Sequence, residues 1–191
     1  DQFFVQKYLS QLPGHYCTGD LCYQDEDGYL HVTSRADDVI NVAGHRISVY
    51  QMEEAVMRHR AVAEAVVIGI KEGLKGHVPF VLAVLKKGVE EATDVIRREI
   101  VALVRTEIGA IATPYDVAIV PRVPKTRSGK VLRSTIRKIL DREEFTCPET
   151  IDDSSTLDLM RSVEQQYLTK RESIDYDPPT VHVEEKKVKI D

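Results

Sequence analysis

Three short segments carry the residues best suited to handling phosphate. Pro124-Lys125-Thr126-Arg127-Ser128-Gly129-Lys130 places a glycine directly before a lysine. Gly129 can take backbone angles closed to other residues, so it can set Lys130 at a loop tip. An ammonium there is a mobile point charge suited to a phosphate or carboxylate oxygen. The segment is not a P-loop, which needs a glycine five residues before the Gly-Lys and a Ser or Thr after it. Those sites hold Pro124 and Val131. Composition alone fits a solvated basic loop as well. In Thr18-Gly19-Asp20 a carboxylate follows a turn, where it can accept two hydrogen bonds from a ribose diol. Read alone, that tripeptide also fits a plain turn. The stretch from Arg35 to Arg46 holds Asp37, Asp38, Gly44, His45 and the two arginines. Arginine favours phosphate, and a glycine in a short loop lets a ligand approach the backbone. The alternative is a loop with surface ion pairs, each worth about 0–1 kcal/mol.

Other constellations are poor. His15, Cys17, Cys22 and His31 cluster loosely but fit no zinc spacing, so no metal site is expected. No Ser or Cys lies in a nucleophile signature. Arg133, Arg137 and Lys138 offer cations to an anionic partner, but no aromatic residues interleave with them, so no nucleic-acid partner is expected. Met52 lies on an apolar helix face and reads as packing.

The elements that must hold these segments follow from periodicity. Phe3, Phe4, Tyr8 and Leu9 have a short helical spacing that Pro13-Gly14 ends. Tyr16–Val32 reads as a hairpin around Asp25-Glu26-Asp27-Gly28, and Ser34–Asp38 as a polar break. Val39–Val42 is a short strand. Residues 43–46 form a loop or tight turn, after which Ile47 resumes extended structure. Val49, Met52 and Val56 share one face of a helix ending near Arg60. Ala65–Ile70 and Val78–Leu85 are β-branched runs joined by Lys71–His77, hence strands. Thr93 or Asp94 caps a helix to about Ile108, with a stripe of Ile96, Ile100, Leu103 and Glu107/Ile108, and Gly109 stops it. Val117–Val120 is a strand, Pro121–Lys130 a loop, Val131–Leu140 a helix and Thr156–Tyr167 one more helix. Strands interleaved with two good helices predict a small α+β domain over about Asp38–Leu140. The end, with Asp-Pro-Pro and mixed charge, reads as a flexible tail or a strand needing a partner.

The chain has 191 residues, enough for one domain with appendages. Its formal charge of −5 argues against a diffuse basic face for duplex DNA or anionic membrane, and 42% apolar residues suffice for a core. No apolar run approaches the ~20 residues of a membrane span. Three cysteines, Cys17, Cys22 and Cys147, are too few and odd for a disulfide framework, which points to a reducing compartment. Residue 1 is Asp, not Met, so the chain reads as a piece of something longer.

In order and spacing, Tyr16–Asp20, Ser34–Ile47 and Pro124–Arg133 resemble the late motifs of the adenylate-forming superfamily. Asn41-Val42-Ala43-Gly44-His45-Arg46 and Pro124–Lys130 are most similar to the acetyl/propionyl-CoA synthetase branch. Leu74–Pro79 resembles its propionate-type members. The resemblance runs from about Phe3 to Tyr167; the residues after 170 do not match. It implies a ligase that converts a short-chain carboxylic acid, MgATP and coenzyme A to acyl-CoA, AMP and pyrophosphate through an acyl-adenylate. It also implies a large N-terminal domain of the same chain and a small mobile C-terminal domain with two poses, a short central sheet and flanking helices. On that pattern 1–36 is the end of the N-terminal domain with its last β-hairpin, and 37–145 the C-terminal domain. A helical segment at 146–170 and a tail at 171–191 follow.

The resemblance also implies roles. Asp20 matches the aspartate that binds the ribose hydroxyls. Arg35 matches an arginine near ribose and phosphate, although the usual glycine before it is Ser34 here. Asp37 matches the hinge, Gly44 the glycine beside the pantetheine tunnel and Ala43 its neighbour with backbone contacts. Arg46 matches an arginine at the nucleotide phosphates, Arg105 one at the nucleotide end of coenzyme A, and Lys130 the catalytic lysine of adenylation. ATP, Mg2+ and coenzyme A are then substrates or activator of the longer enzyme, none held tightly by this piece, which is expected to be inactive alone. Lysine acylation is a known control of the family, so an acetyltransferase and deacetylase acting at Lys130 are implied partners. Implied addresses are the mitochondrial matrix or cytoplasm. Two alternatives are an adenylating domain that loads a carrier protein and a non-catalytic module whose 125–138 segment binds an anionic partner. A charge swap at Arg133 and Arg137 is expected to separate that module from the ligase.

Overall fold

A computed structural model describes residues 2–10, 12–36 and 38–168. Asp37 and the 171–191 tail lie outside the described residues. A first helical turn, α1 (Gln2–Phe4), continues helically over Val5–Leu9. Strands β1 (Asp20–Gln24) and β2 (Leu30–Arg35) then form an antiparallel hairpin as a sheet of their own. Asp25 builds its turn. One carboxylate oxygen accepts the amides of Asp27 and Tyr29, and the other meets His31 Nε2 at 2.6 Å. The ladder continues to Asp20 opposite Arg35, so the polar break expected over Ser34–Asp38 begins only after Arg35. Pairing of the backbone outweighs the polarity of those side chains.

The second sheet is built around a long hairpin, β5 (Val62–Glu72) and β6 (Gly76–Leu85). Before it come β3 (Val39–Val42), β4 (His45–Ser48) and α2 (Val49–Met57); after it come α3 (Thr93–Glu107), β7 (Val117–Ile119), α4 (Arg133–Leu140) and α5 (Ser155–Val163). On its free edge β6 meets β3 at Gly76 and then β7, in parallel, along Val81–Ala83. Strand β4 pairs with β3 outside. Successive side chains of a strand point to opposite faces. Accordingly Val67, Val81, Ala83 and Val117 pack with α2 and α3 on one side. Val66, Ile68, Phe80, Leu82 and Ala118 pack with α4 and α5 on the other. Burial on both faces explains why β5 and β6 read as continuous apolar runs rather than as alternating strands. The result is the small α+β domain that the sequence predicts; its central sheet is mixed, because β7 joins β6 in parallel.

Local details depart from that reading. The buried stripe of α3 is Ile96, Ile100, Val101 and Val104, while Leu103 is only half-buried. A spacing of four residues, 96 to 100 to 104, wins over the i+7 position because β-branched Val104 faces the sheet. Neither Thr93 nor Asp94 caps α3; both lie inside it, no side chain caps Ala92, and Asp94 instead pairs with Arg97. Helix α4 starts at Arg133, since Val131 is used in a bridge to Lys125. The tight turn after β3 is Ala43-Gly44 alone; His45 and Arg46 already belong to β4. Ser48 caps α2 by accepting the Gln51 amide.

Candidate functional site

Lys130 sits at the end of a small hairpin that supplies most of its own hydrogen bonds. The Thr126 amide donates to the Lys130 carbonyl at 2.8 Å, and the Gly129 amide donates to the Thr126 carbonyl at 2.8 Å. Thr126 Oγ1 accepts the Lys130 amide at 3.1 Å and lies 3.0 Å from Ser128 Oγ. Gly129 has φ of +84°, an angle an L side chain takes only under strain, so the glycine is what turns the chain into the lysine. The stem is fixed from below: Lys125 Nζ lies 2.7 Å from a carboxylate oxygen of Glu64 on β5. Lys130 itself is exposed, and its ammonium has no ion-pair partner among the described residues. A placed, unneutralised cation of this kind is suited to an anion brought to it.

Gly44 and Ala43 form the two-residue turn between β3 and β4, both with positive φ, +85° and +47°. A two-residue hairpin of this twist requires that pair of angles. Ala43 is an L residue in a conformation that favours Gly or Asn, so the turn stores strain at its tip. Its amide donates to the Lys75 carbonyl at 2.9 Å, which places the tip against the β5–β6 turn. Glu72 shapes that turn by accepting the amides of Leu74 and Lys75. A Cβ built on Gly44 would meet nothing within 4 Å, so the space beside it is open in this chain. Arg46 is exposed on β4 opposite Asn41.

Asp20 and Arg35 face each other across the first hairpin, with Arg35 Nη1 3.3 Å from Asp20 Oδ1 and 2.8 Å from the Thr18 carbonyl. A Cβ on Gly19 would come within 2.8 Å of the Arg35 guanidinium, so the glycine makes room for the arginine. Both side chains are more than a third exposed, so the pair contributes little stability and stays open to a ligand. Arg105 is exposed in the last turn of α3. Thus Asp20 meets Arg35, and Ala43 and Gly44 share the β3–β4 tip with Arg46 close by; among the described residues no hydrogen bond or ion pair joins Lys130 or Arg105 to them.

Arg133 is not the free surface cation that the 125–138 segment suggests. It forms a two-pronged pair with Glu53, whose Oε2 lies 2.9 Å from Nη2, and Asp38 stands 3.9 Å from its Nε. Burial disfavours the charged guanidinium, but hydrogen bonding and charge from Glu53 outweigh it, so its pKa rises. Glu53 also accepts the Val67 amide at 2.8 Å, tying α2, β5 and α4 together. The pair lies beside an open cleft of about 460 Å3 that Asp38, Asn41, Gly69 and His77 also line. Glu53 gives no signal in the sequence, because its partner lies 80 positions away.

Residues 51–130 match the family described as the AMP-binding enzyme C-terminal domain. Over those residues the chain has the sequence pattern of an AMP-binding enzyme C-terminal domain. That domain ends its match on Lys130, and the residues at Asp20, Arg35, Ala43, Gly44 and Arg46 precede it. Over 154 residues the chain is 47% identical to an acetyl-coenzyme A synthetase of Mesorhizobium japonicum, covering 81% of this chain and 23% of that protein. It is 45% identical over 154 residues to acyl-CoA synthetase short-chain family member B, mitochondrial, of Dictyostelium discoideum, covering 81% and 22%. The chain therefore spans under a quarter of the length of these curated relatives. Its fold superposes on an acetoacetyl-CoA synthetase from Streptomyces lividans with a TM-score of 0.69, at 22% identity, covering 86% of this chain and 25% of that one. No helix among the described residues is long and apolar enough to cross a membrane.

Proposed function

We propose that this AMP-binding C-terminal domain serves an AMP-forming short-chain acyl-CoA synthetase. In the first half-reaction a carboxylate oxygen attacks the α-phosphorus of MgATP and pyrophosphate leaves, giving an acyl-adenylate. In the second, the sulfur of coenzyme A attacks the acyl carbon and AMP leaves. The observation that carries this reading is the Lys130 hairpin: an exposed, unpaired ammonium on a turn set by Gly129, in a domain whose relatives are named for that chemistry. Adenylation brings two anions together, and a preorganised cation lowers their repulsion and stabilises charge developing in the transition state. The second half-reaction starts from an adenylate already made and does not require it.

The other roles follow the same division. Asp20 accepts from the ribose hydroxyls while Arg35, on its other oxygen, keeps it oriented and reaches the phosphate. Arg46 meets the nucleotide phosphates, Ala43 and Gly44 flank the pantetheine passage, Arg105 takes the nucleotide end of coenzyme A, and Asp37 is the hinge. Residues 1–36 belong to the N-terminal domain and 37–145 to the mobile one, so the piece is inactive by itself. Relatives named for coenzyme A favour that acceptor over a carrier protein. The acid is acetate or propionate, the compartment mitochondrial matrix or cytoplasm, and an acetyltransferase and deacetylase act on the exposed Lys130. The anion-binding module has one cation fewer to offer, because Arg133 is already paired with Glu53.

The test is to measure both half-reactions in the full-length enzyme, wild type against Lys130→Ala, with acetate, propionate and butyrate. ATP–pyrophosphate exchange collapses in the variant, while thioester formation from supplied acyl-adenylate persists. Equal loss of both, or of neither, overturns the assignment.

A further inference from the structure

Lys130 is held in place by residues that follow it in the chain. Its hairpin has one stem bridge of its own, Lys125 opposite Val131. Alongside runs a strap, residues 148–153. Thr126 pairs with Ile151 in a second bridge, the Arg127 amide donates to the Thr150 carbonyl at 3.0 Å, and the Asp152 amide donates to the Lys125 carbonyl at 2.9 Å. The Arg127 guanidinium donates to the Glu149 carbonyl at 3.2 Å. The strap is anchored to the domain at its other end. Ile151 is buried in the α4–α5 side of the core. Asp153 lies 2.6 Å from Arg122 and accepts the Ser155 amide at the start of α5. The α5 residues Leu157, Met160 and Val163 fill the same core. The family match stops at Lys130, so the whole anchor lies beyond it.

An isolated two-stranded hairpin is marginally stable, and one this short can pivot on its stem without losing its internal bonds. The internal bonds therefore fix the hairpin's shape, and the strap fixes its direction. We infer that residues 148–153 are a positioning element for Lys130, setting where its ammonium stands during adenylation. The inference rests on the reading of Lys130 as the adenylation lysine. It predicts selectivity: releasing the strap lowers the half-reaction that uses Lys130 and spares the one that does not. A misplacement of about 1 Å costs on the order of a hundredfold in rate.

The experiment uses the full-length enzyme with Asp152→Pro, which deletes the amide that donates to Lys125, and Asp152→Ala, which keeps it. Ile151→Ala, which loosens the anchor, is paired with Ile151→Val. In Asp152→Pro and Ile151→Ala, kcat for ATP–pyrophosphate exchange falls about ten- to a hundredfold. The KM for ATP and thioester formation from supplied acyl-adenylate stay within about twofold of wild type. Asp152→Ala and Ile151→Val retain exchange. If Asp152→Pro does not fold, the Ile151 pair decides alone. Strap variants with full exchange activity, beside a Lys130→Ala enzyme that has lost it, overturn the inference and leave the functional reading standing. Equal loss of both half-reactions with a lowered Tm overturns it in favour of a purely structural role. Undiminished exchange in Lys130→Ala overturns the functional reading, and the inference with it.

Discussion

Lys130 and Gly44 ask for opposite things of their surroundings, and that opposition makes their roles separable. In the proposed adenylation role Lys130 must keep its charge free until an anion arrives, and its exposed ammonium can be removed without disturbing packing. Lys130→Ala is expected to lower ATP–pyrophosphate exchange by about a hundredfold or more while leaving Tm unchanged. Gly44 contributes only the absence of a side chain. A Cβ there meets nothing within 4 Å, but φ of +85° strains any L residue by roughly 1–2 kcal/mol. Gly44→Ala is therefore expected to cost about that much in urea denaturation, and Gly44→Leu no more. The larger side chain should instead block the open space, so Gly44→Leu loses thioester formation while Gly44→Ala retains part of it. Equal thioester activity in the two variants would remove Gly44 from the passage. The turns at Gly129 and Gly44 were legible in the sequence because each glycine sits in a short local motif. The strain at Ala43 was not, since an alanine advertises no positive φ.

At the scale of elements, the tie between Glu53 and Arg133 is the junction on which α2, β5 and α4 converge. Arg133 is 31% exposed and Glu53 17%, so solvent screens the pair only in part. Breaking a buried pair by removing one partner costs about 3–5 kcal/mol, and partial exposure brings this nearer 2–3 kcal/mol. Arg133→Glu is expected to lose that much stability, measured by urea denaturation, because it sets two carboxylates and Asp38 against one another. The charge swap thus reports on folding before it reports on any partner, and only Arg137, exposed on α4, is usable for that purpose. The first hairpin gives a gentler test. His31 holds the Asp25 carboxyl below its ordinary value of 3.8, with the Tyr29 and Asp27 amides adding to the effect. A depressed carboxylate stabilises the turn at pH above about 4 and loses that contribution as pH falls through the lowered value. NMR titration of the Asp25 carboxyl is expected to show the depressed midpoint, and His31→Ala to move it upward. Element types along the chain were legible because strands buried on both faces and helices with one apolar stripe leave distinct patterns. Element ends were not, since the start of α3 and of α4 is decided by pairing and packing with distant residues.

Over the whole molecule, the family match and the folded unit do not coincide. The match covers 51–130, yet the face of the sheet formed by Phe80, Leu82, Ile68 and Val66 is closed by α4 and α5, which lie after it. Tyr167 adds to that closure: its ring meets the Phe80 ring edge-on at 6.1 Å and lies 5.0 Å below the Arg97 guanidinium. Arg97 in turn is paired with Asp116 just before β7, so the helical turns at Glu164–Leu168 are joined to α3 and to the sheet at once. Burying a large aliphatic side chain is worth about 1.5–3 kcal/mol. Ile151, Leu157, Met160 and Val163 together therefore represent on the order of 6–12 kcal/mol before the cost of ordering the segment. A domain of this size has a total stability of only about 5–15 kcal/mol. A chain ending at residue 145 should accordingly lose its cooperative thermal transition and bind a hydrophobic dye through the uncovered sheet. A chain ending at residue 168 should melt cooperatively, because every described side chain that closes this face of the core is still present. Matching, cooperative melting curves for the two truncations would show that α5 is an appendage and that the second face closes without it.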